Sequence, residues 1–257
     1  MSGDYSKRPF DPAKDYGDVL LQQGRVLLDS DWNEAVEMQN RRWRAETRDL
    51  IGRCGTPQET PDGFRIGFDA VNVDLTIGVG RIYADGLLAE NHGAPPSVFD
   101  LILAETRGMT PLTYHNQPYY PTARDDSPLG NLLPGAGVVH LVYLDVWQRE
   151  VIHLQDPSII EKAVGVDAST RLQTVWQVRV LEDVADAVEC GLLDSQLRRW
   201  AALIRPSAGR LTTRVSETPE TPDPCLIPPS GGYSGVENRL YRVEIHRKSA
   251  NGDWKFK

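Results

Sequence analysis

The sequence is poor in cysteine and in long apolar runs. Its three cysteines, Cys54, Cys190 and Cys225, are an odd number and fit no CxxC or Cys/His metal-binding spacing. No stretch approaches roughly 18 uninterrupted apolar residues, and the first residues lack the apolar core of a secretory signal. We therefore expect reduced thiols, synthesis in the cytoplasm and no membrane insertion.

Excess positive charge is also missing. The formal net charge is −8 and the pI is near 5.2, so the molecule as a whole repels nucleic acid and anionic lipid. Residues 37–49 interleave arginines with acidic residues, which is typical of a solvated helix face. We predict that nucleic acid is not a partner.

The sequence also lacks the common motifs of catalysis and cofactor binding. It has no G-x-S-x-G nucleophile elbow and no Walker loop, and Gly78-Val-Gly80 lacks the third glycine of a dinucleotide fingerprint. The histidines fall at no i, i+4 spacing and beside no carboxylate pair. We predict no enzyme activity, no metal and no cofactor.

A few carboxylates are weak candidates for chemistry. Asp145 lies within a predicted buried strand, where a hydrogen-bonded structural role explains it. Glu161 and Asp167 lie close in sequence, but a glycosidase needs its two carboxylates about 5–10 Å apart across a cleft, which a sequence cannot establish. Asp29, Asp31 and Glu34 match no EF-hand spacing, and helix capping explains Asp31 and Glu34 without a metal.

The sequence is rich in turn-forming residues. It contains 22 Gly and 18 Pro, spread throughout, which favours many turns and short strands. We predict a β-rich α+β fold: an N-terminal extended arm and amphipathic helix, followed by an antiparallel β-sheet sandwich or barrel-like domain with helical insertions. The arm and docking helix occupy 1–52, and the mainly β domain occupies 53–257, with long loops near 91–136 and 206–232.

The segment 1–28 predicts an extended arm. Each residue before a proline in segment 8–14 is pushed out of the helical region, and two apolar clusters flank a turn at Gly24. The arm thus presents apolar side chains on extended backbone.

The segment 31–52 carries the clearest helix pattern in the chain. Asp31 with Glu34 forms a variant of the capping box, and Gly52 is expected to end the helix in a left-handed conformation. The periodic positions are Trp32, Val36, Gln39, Trp43, Thr47 and Leu50/Ile51. Two tryptophans on one stripe are typical of core or subunit contact.

From Phe64 to Glu90 the apolar period falls to about two, which predicts a β-meander with a hairpin at Asp85-Gly86. Residues 138–147 predict a central strand buried on both faces, with 150–154 as its hairpin partner. A further strand is expected over 174–181.

Three local signals complete the pattern. Asp156 followed by proline predicts the start of a short helix. Residues 183–205 predict a helical region broken near Gly191. The dipeptide Asn251-Gly252 predicts a C-terminal hairpin.

Several segments resemble a known group of sequences. The opening Asp4-Tyr-Ser, Phe10-Asp-Pro and Gln22-Gln-Gly-Arg-Val-Leu-Leu-Asp-Ser-Asp-Trp-Asn-Glu34, with Tyr143-Leu-Asp-Val-Trp147 and the segment 237–246, are similar to a bacterial domain-of-unknown-function family. That family recurs in gene clusters for contractile injection systems and phage-tail-like particles. The resemblance implies a structural subunit of such a particle, baseplate or tail-associated, and implies no catalytic residue.

The expected assembly interface lies in the arm and the helix, and its partners are the other subunits of the particle, in a ring-type homo-oligomer or a hetero-assembly. Its candidate residues are Tyr5, Phe10, Tyr16, Gln22, Gln23, Arg25, Trp32 and Trp43. The resemblance implies assembly in the cytoplasm, and such a particle could carry the chain out of the cell. The simpler alternative is that the arm packs on its own domain.

Two other functions stay open. One is a polysaccharide-binding or polysaccharide-active β module, because β proteins of tails often meet glycans. The other is a small-molecule-binding β domain, which would need a deep apolar pocket with convergent polar groups.

Overall fold

A computed structural model describes residues 10–94, 110–119, 138–184 and 192–206, together with the backbone of two C-terminal strands. The fold is mixed α+β: an N-terminal helix, then several small antiparallel sheets, with a short C-terminal helix. The predicted α+β class, with its helix ahead of antiparallel sheets, is confirmed. The chain divides into two units, Met1–Ala201 and Ala202–Lys257; the predicted boundary after residue 52 stays a prediction.

The helices are α1 Asp29–Ile51 and α2 Arg198–Ile204. The strands are β1 Cys54–Gly55, β2 Ile66–Asp69, β3 Asp74–Ile77, β4 Gly80–Ala84, β5 Leu87–Asn91, β6 Leu112–Thr113, β7 Leu141–Val151, β8 Ile160–Glu161, β9 Val166–Asp167, β10 Arg171–Leu181, β11 Ile245–Lys248 and β12 Trp254–Phe256.

Helix α1 begins two residues earlier than predicted, at Asp29 rather than Asp31. Its N-cap is Leu28, which is extended and supplies no side-chain hydrogen bond, so the predicted capping box is wrong. Asp31 instead lies in the first turn, where its charge favours the positive end of the helix dipole. Gly52 does end the helix, its N–H donating to the Arg48 carbonyl at 2.9 Å, with φ 89° but ψ −161°, outside the left-handed helical region.

The predicted β-meander is broken into two sheets. Strand β3 pairs with β2 and β6, whereas β4 pairs with β1 and β5, so the break falls at the link between β3 and β4. Asn91 joins the two sheets, because its buried amide donates to the carbonyls of Ile77 and Gly78 at 3.1 and 3.0 Å. The Asp85-Gly86 hairpin is confirmed, with both residues at positive φ.

Strands β7 and β10 form one long antiparallel ribbon that runs in register from Leu141 opposite Leu181 to Val151 opposite Arg171. The predicted hairpin partner over 150–154 is wrong, because the first two of those residues continue β7 and the rest turn away. The expectation that 138–147 is buried on both faces is also wrong: β7 is half-buried along most of its length. The strand predicted over 174–181 is confirmed and begins at Arg171.

The sheets meet in one core. Its buried members are Phe64, Leu75, Ile77, Ala89, Tyr114, Trp176 and Val178. The Trp176 ring meets Phe64 edge-on at 4.9 Å between centroids, and its indole N–H donates to the Glu90 carbonyl at 2.7 Å. Gln117 adds a second link, accepting from the Val178 N–H at 2.6 Å and donating to its carbonyl at 3.1 Å. The ribbon is thereby fixed to both small sheets.

Two of the predicted helical segments are shorter in the structure than the sequence indicated. Asp156 caps a single 3-10 turn, Pro157–Ile159, rather than a helix. In the region predicted as helical over 183–205, a 3-10 turn at Asp194–Gln196 precedes α2, and Gly191 lies outside the described residues. Strands β11 and β12 pair antiparallel as a hairpin requires. The predicted turn between them, and most of the loops predicted near 91–136 and 206–232, lie outside the described residues.

The turn between β2 and β3 supplies a pH-dependent prediction. The Asp69 carboxylate accepts hydrogen bonds from the Asn72 side chain at 2.8 Å and from the N–H groups of Asn72 and Val71, and these bonds lower the pKa of Asp69 below 3.8. A depressed folded pKa contributes stability above the ordinary pKa, and that contribution is lost as pH falls through the folded value. We expect Asn72→Ala to raise the pKa of Asp69 toward 3.8, measured by an NMR pH titration.

The same titration contains its own control. The pKa of Asp156 is lowered by hydrogen bonds from the side chain and N–H of Ser158, which Asn72→Ala does not touch. An unchanged pKa of Asp69, or an equal rise at Asp156, would contradict this account of the turn.

Candidate assembly surface

The described part of the arm, residues 10–28, is extended and forms no strand. A 3-10 turn at Pro12–Lys14 is capped by Asp11, whose carboxylate accepts from the Ala13 N–H at 3.0 Å. A second turn places Gly24 at φ 72°, with the Arg25 N–H donating to the Gln22 carbonyl at 3.3 Å. The turn predicted at Gly24 is confirmed, and almost all of these residues are exposed.

The apolar side chains of the arm are exposed. Leu20 is 87% and Val26 is 82% exposed, and four further residues, Tyr16, Leu21, Leu27 and Leu28, are also exposed. Single exposed apolar residues are ordinary, but a contiguous series is typical of an interaction surface. Phe10 and Val19 are half-buried, but most of the described arm is exposed rather than packed on its own domain.

One side of α1 faces its own domain. Met38 and Ser30 are buried, and toward the C-terminal end Arg44 and Arg48 form ion pairs with Asp85 at 3.7 and 3.2 Å. The helix approaches the β4–β5 turn closely, since a Cβ on Gly86 would lie 2.6 Å from the Arg44 carbonyl oxygen. The turn and the helix thus fix each other in place.

The other side of α1 carries an exposed apolar stripe formed by Trp32, Val36, Trp43 and Leu50. The two tryptophans are 63% and 61% exposed and Leu50 is 78% exposed. At about 100° of rotation per residue these positions share one face, roughly opposite the side formed by Met38, Arg44 and Arg48. One side of the helix therefore packs against its own domain, and the opposite side presents apolar side chains to solvent.

The stripe ends in a shallow groove of about 310 Å³ between α1 and β4. It is lined by Trp43, Glu46, Thr47, Leu50, Ile51 and Tyr83. Most of this lining is apolar, and the groove is open to solvent. Its shape suits an inserted side chain rather than an enclosed small molecule.

The predicted interface residues fall into four groups. Tyr5 lies outside the described residues, and Phe10 is half-buried, with the Arg41 guanidinium 5.9 Å above its ring. Five polar or aromatic members are exposed without sharing a pocket: Tyr16, Gln22, Gln23, Arg25 and Trp32. Trp43 lies in the groove. Their role as an interface stays a prediction.

Sequence reasoning missed the partners of Trp43 in the groove. Ile51 and Tyr83 come together only because the β4–β5 hairpin lies against α1, which no local pattern indicates. Leu50 was recognised as periodic, but the helix pattern could not show that its stripe faces away from the domain.

Two histidines have carboxylate partners that are distant in sequence. His115 lies 2.9 Å from Asp74, with both side chains at least nine-tenths buried. His153 lies 2.8 Å from Asp167, with both about one-third exposed. The sequence showed neither pair, because each joins separate strands or turns.

The candidate carboxylates have structural partners. Asp145 faces Arg179 at 3.6 Å across the ribbon and is 41% exposed, so it forms an ion pair and is not deeply buried, and its predicted hydrogen bond stays a prediction. Glu161 accepts from the Ala163 N–H at 3.1 Å within its own turn, while Asp167 holds His153. Within the described ranges, no group of three His, Cys, Asp or Glu side chains converges as a metal ligand set, and no helix has the length and apolar character to cross a bilayer.

Comparison with known proteins gives one match. The model of DUF6519, a family of unknown function, matches residues 1–212. No curated protein and no solved structure matches the chain. The match includes the arm, α1 and the strands of the core.

Proposed function

The chain belongs to DUF6519, a family of unknown function, and we propose that it is a non-catalytic assembly subunit of a contractile injection system or phage-tail-like particle, baseplate or tail-associated. The observation that carries the proposal is the continuous exposure of apolar side chains along the arm and the outer face of α1. The N-terminal sequence resemblance supplies the kind of particle.

An extended arm is well suited to assembly. Outside its two turns, the described arm forms no strand of its own, so its extended backbone can pair with a partner strand while its apolar side chains supply buried area in the same contact. The tryptophans of α1 add rigid anchors of the kind that dominate interface energies. The partners in this proposal are other particle subunits, and the particle carries the chain outside the cell.

The proposal is tested by deleting residues 1–28. Because the described arm contributes no buried core residue, we expect the shortened chain to remain folded and soluble but to be absent from purified particles. Particles isolated from cells expressing either form are analysed by mass spectrometry for this polypeptide. Unchanged incorporation would refute the proposal.

A double substitution tests whether the apolar side chains of the arm, rather than its length alone, are needed for incorporation. Leu20→Asp with Leu21→Asp places charge on the arm and should reduce incorporation, whereas Val71→Asp, at a residue 90% exposed in the β2–β3 turn, should not.

The alternative of a polysaccharide-active or polysaccharide-binding module is tested on the isolated chain. Glycan cleavage or binding by the chain alone would favour it.

A further inference from the structure

The charge of α1 is divided along its length. Residues 29–40 contain four acidic residues and no Lys or Arg, and residues 41–51 contain four arginines and two acidic residues. The formal charge is therefore −4 over the first half and +2 over the second, and Asp85 forms ion pairs with two arginines of the second half. Two such helices repel in parallel and attract in antiparallel orientation, and the helix dipoles act in the same direction.

The apolar surface around α1 also differs between the two ends of the helix. The exposed arm residues Val26–Leu28 directly precede the N-terminus of α1, while the groove lies at its C-terminus, about 30 Å away along the axis. A parallel pair would place groove beside groove and arm beside arm. An antiparallel pair places each arm end at the other copy's groove and keeps the tryptophan stripes in contact.

We propose that α1 pairs in antiparallel orientation with α1 of a second copy of this chain, and that Val26–Leu28 of each copy enters the groove of the other. The contact is isologous, because each copy supplies one arm end and one groove, as two-fold symmetry requires. This inference rests on the proposed assembly role of the surface and names its first partner.

The exposed area fits a partner of this size. Each tryptophan, about 60% exposed, leaves roughly 100–150 Å² of side chain in solvent. Six further exposed apolar residues add to it: Val26, Leu27, Leu28, Val36, Leu50 and Ile51. The total is on the order of the 800 Å² that each partner of a standard interface buries.

Self-association of the full chain is measured by sedimentation equilibrium from about 1 to 100 μM. We expect a concentration-dependent dimer, and we expect Trp32→Ala with Trp43→Ala to raise the dissociation constant at least about 100-fold. Val71→Ala, which removes an exposed apolar side chain elsewhere, should leave it unchanged. Circular dichroism verifies that every variant is folded, and a monomer at all concentrations, or a dimer indifferent to the tryptophans, overturns the inference.

The orientation is tested by cross-linking between copies. In a background with Cys54→Ser, Cys190→Ser and Cys225→Ser, one population carries Asn33→Cys and the other carries Thr47→Cys. With a bismaleimide, an antiparallel pair yields mainly cross-links between the two populations. Predominant cross-links within each population, which a parallel pair gives, would overturn the inference.

The two proposals fail differently. A monomeric chain that still joins particles through its arm excludes the second copy as partner and leaves the assembly role standing. A tryptophan-dependent antiparallel dimer that is never found in particles supports the pairing and refutes the particle role.

Discussion

Replacing Trp176 by alanine is expected to lower the free energy of unfolding by about 3–5 kcal/mol. The indole is 3% exposed, meets Phe64 edge-on at 4.9 Å, and donates from its N–H to the Glu90 carbonyl at 2.7 Å. Alanine leaves a cavity where the ribbon meets the small sheets and removes the donor to that carbonyl. Urea denaturation followed by circular dichroism measures the loss.

A second substitution separates packing from hydrogen bonding. Trp176→Phe keeps an aromatic ring in the core but cannot donate to Glu90, so we expect a smaller loss, about 1–3 kcal/mol. Val71→Ala, in an exposed turn, serves as the surface control. If Trp176→Ala unfolded at the same urea concentration as the parent chain, the proposed position of the core would be wrong.

The sequence predicted those parts of the fold that depend on local interactions. The Asp85-Gly86 hairpin, the glycine at the end of α1 and the strand over 174–181 follow from turn chemistry and periodicity, which act over a few residues. The long-range pairings did not follow. Strand β7 pairs with β10 across an intervening 19 residues, whereas the next apolar run suggested an adjacent hairpin, and only the shared core selects between them.

The start of α1 shows how a local rule failed. Asp31 and Glu34 fit the capping-box spacing, yet the helix continues back to Asp29 without a capping side chain. The acidic first turn stabilises the N-terminus through its charge, so the motif was not required at its expected position. Element ends are the least certain part of any sequence pattern for this reason.

The candidate surface was partly accessible from sequence. The tryptophan spacing indicated that Trp32 and Trp43 share a face, and composition marked the arm as extended. The side of α1 that meets the domain carries Arg44 and Arg48, whose ion-pair partner Asp85 lies more than thirty residues away in sequence. No helical periodicity reveals a partner at that separation. Exposure of the stripe is therefore a result of tertiary packing, and it is the property on which both proposals depend.

Replacing Gly78 by alanine is expected to cost about 3 kcal/mol or more of unfolding free energy. Gly78 lies between β3 and β4, where its N–H donates to the Arg65 carbonyl at 2.8 Å and its carbonyl accepts from the Phe64 N–H at 2.9 Å. A Cβ there would overlap the Asp62 carbonyl oxygen and lie 3.1 Å from the Arg65 nitrogen. Because those atoms belong to the backbone, relief requires disturbing the two hydrogen bonds that pair Gly78 with Phe64 and Arg65.

Gly17→Ala is the matched control, because a Cβ at Gly17 would meet nothing within 4 Å. Both substitutions add one methyl group and reduce the entropy of the unfolded chain similarly, so the difference between their unfolding free energies isolates the steric conflict at Gly78. Thermal and urea unfolding of the two variants should therefore differ by nearly the full effect. Equal stabilities would mean that the link between β3 and β4 relaxes freely, and the close approach of the two backbones would then not be a structural requirement of this fold.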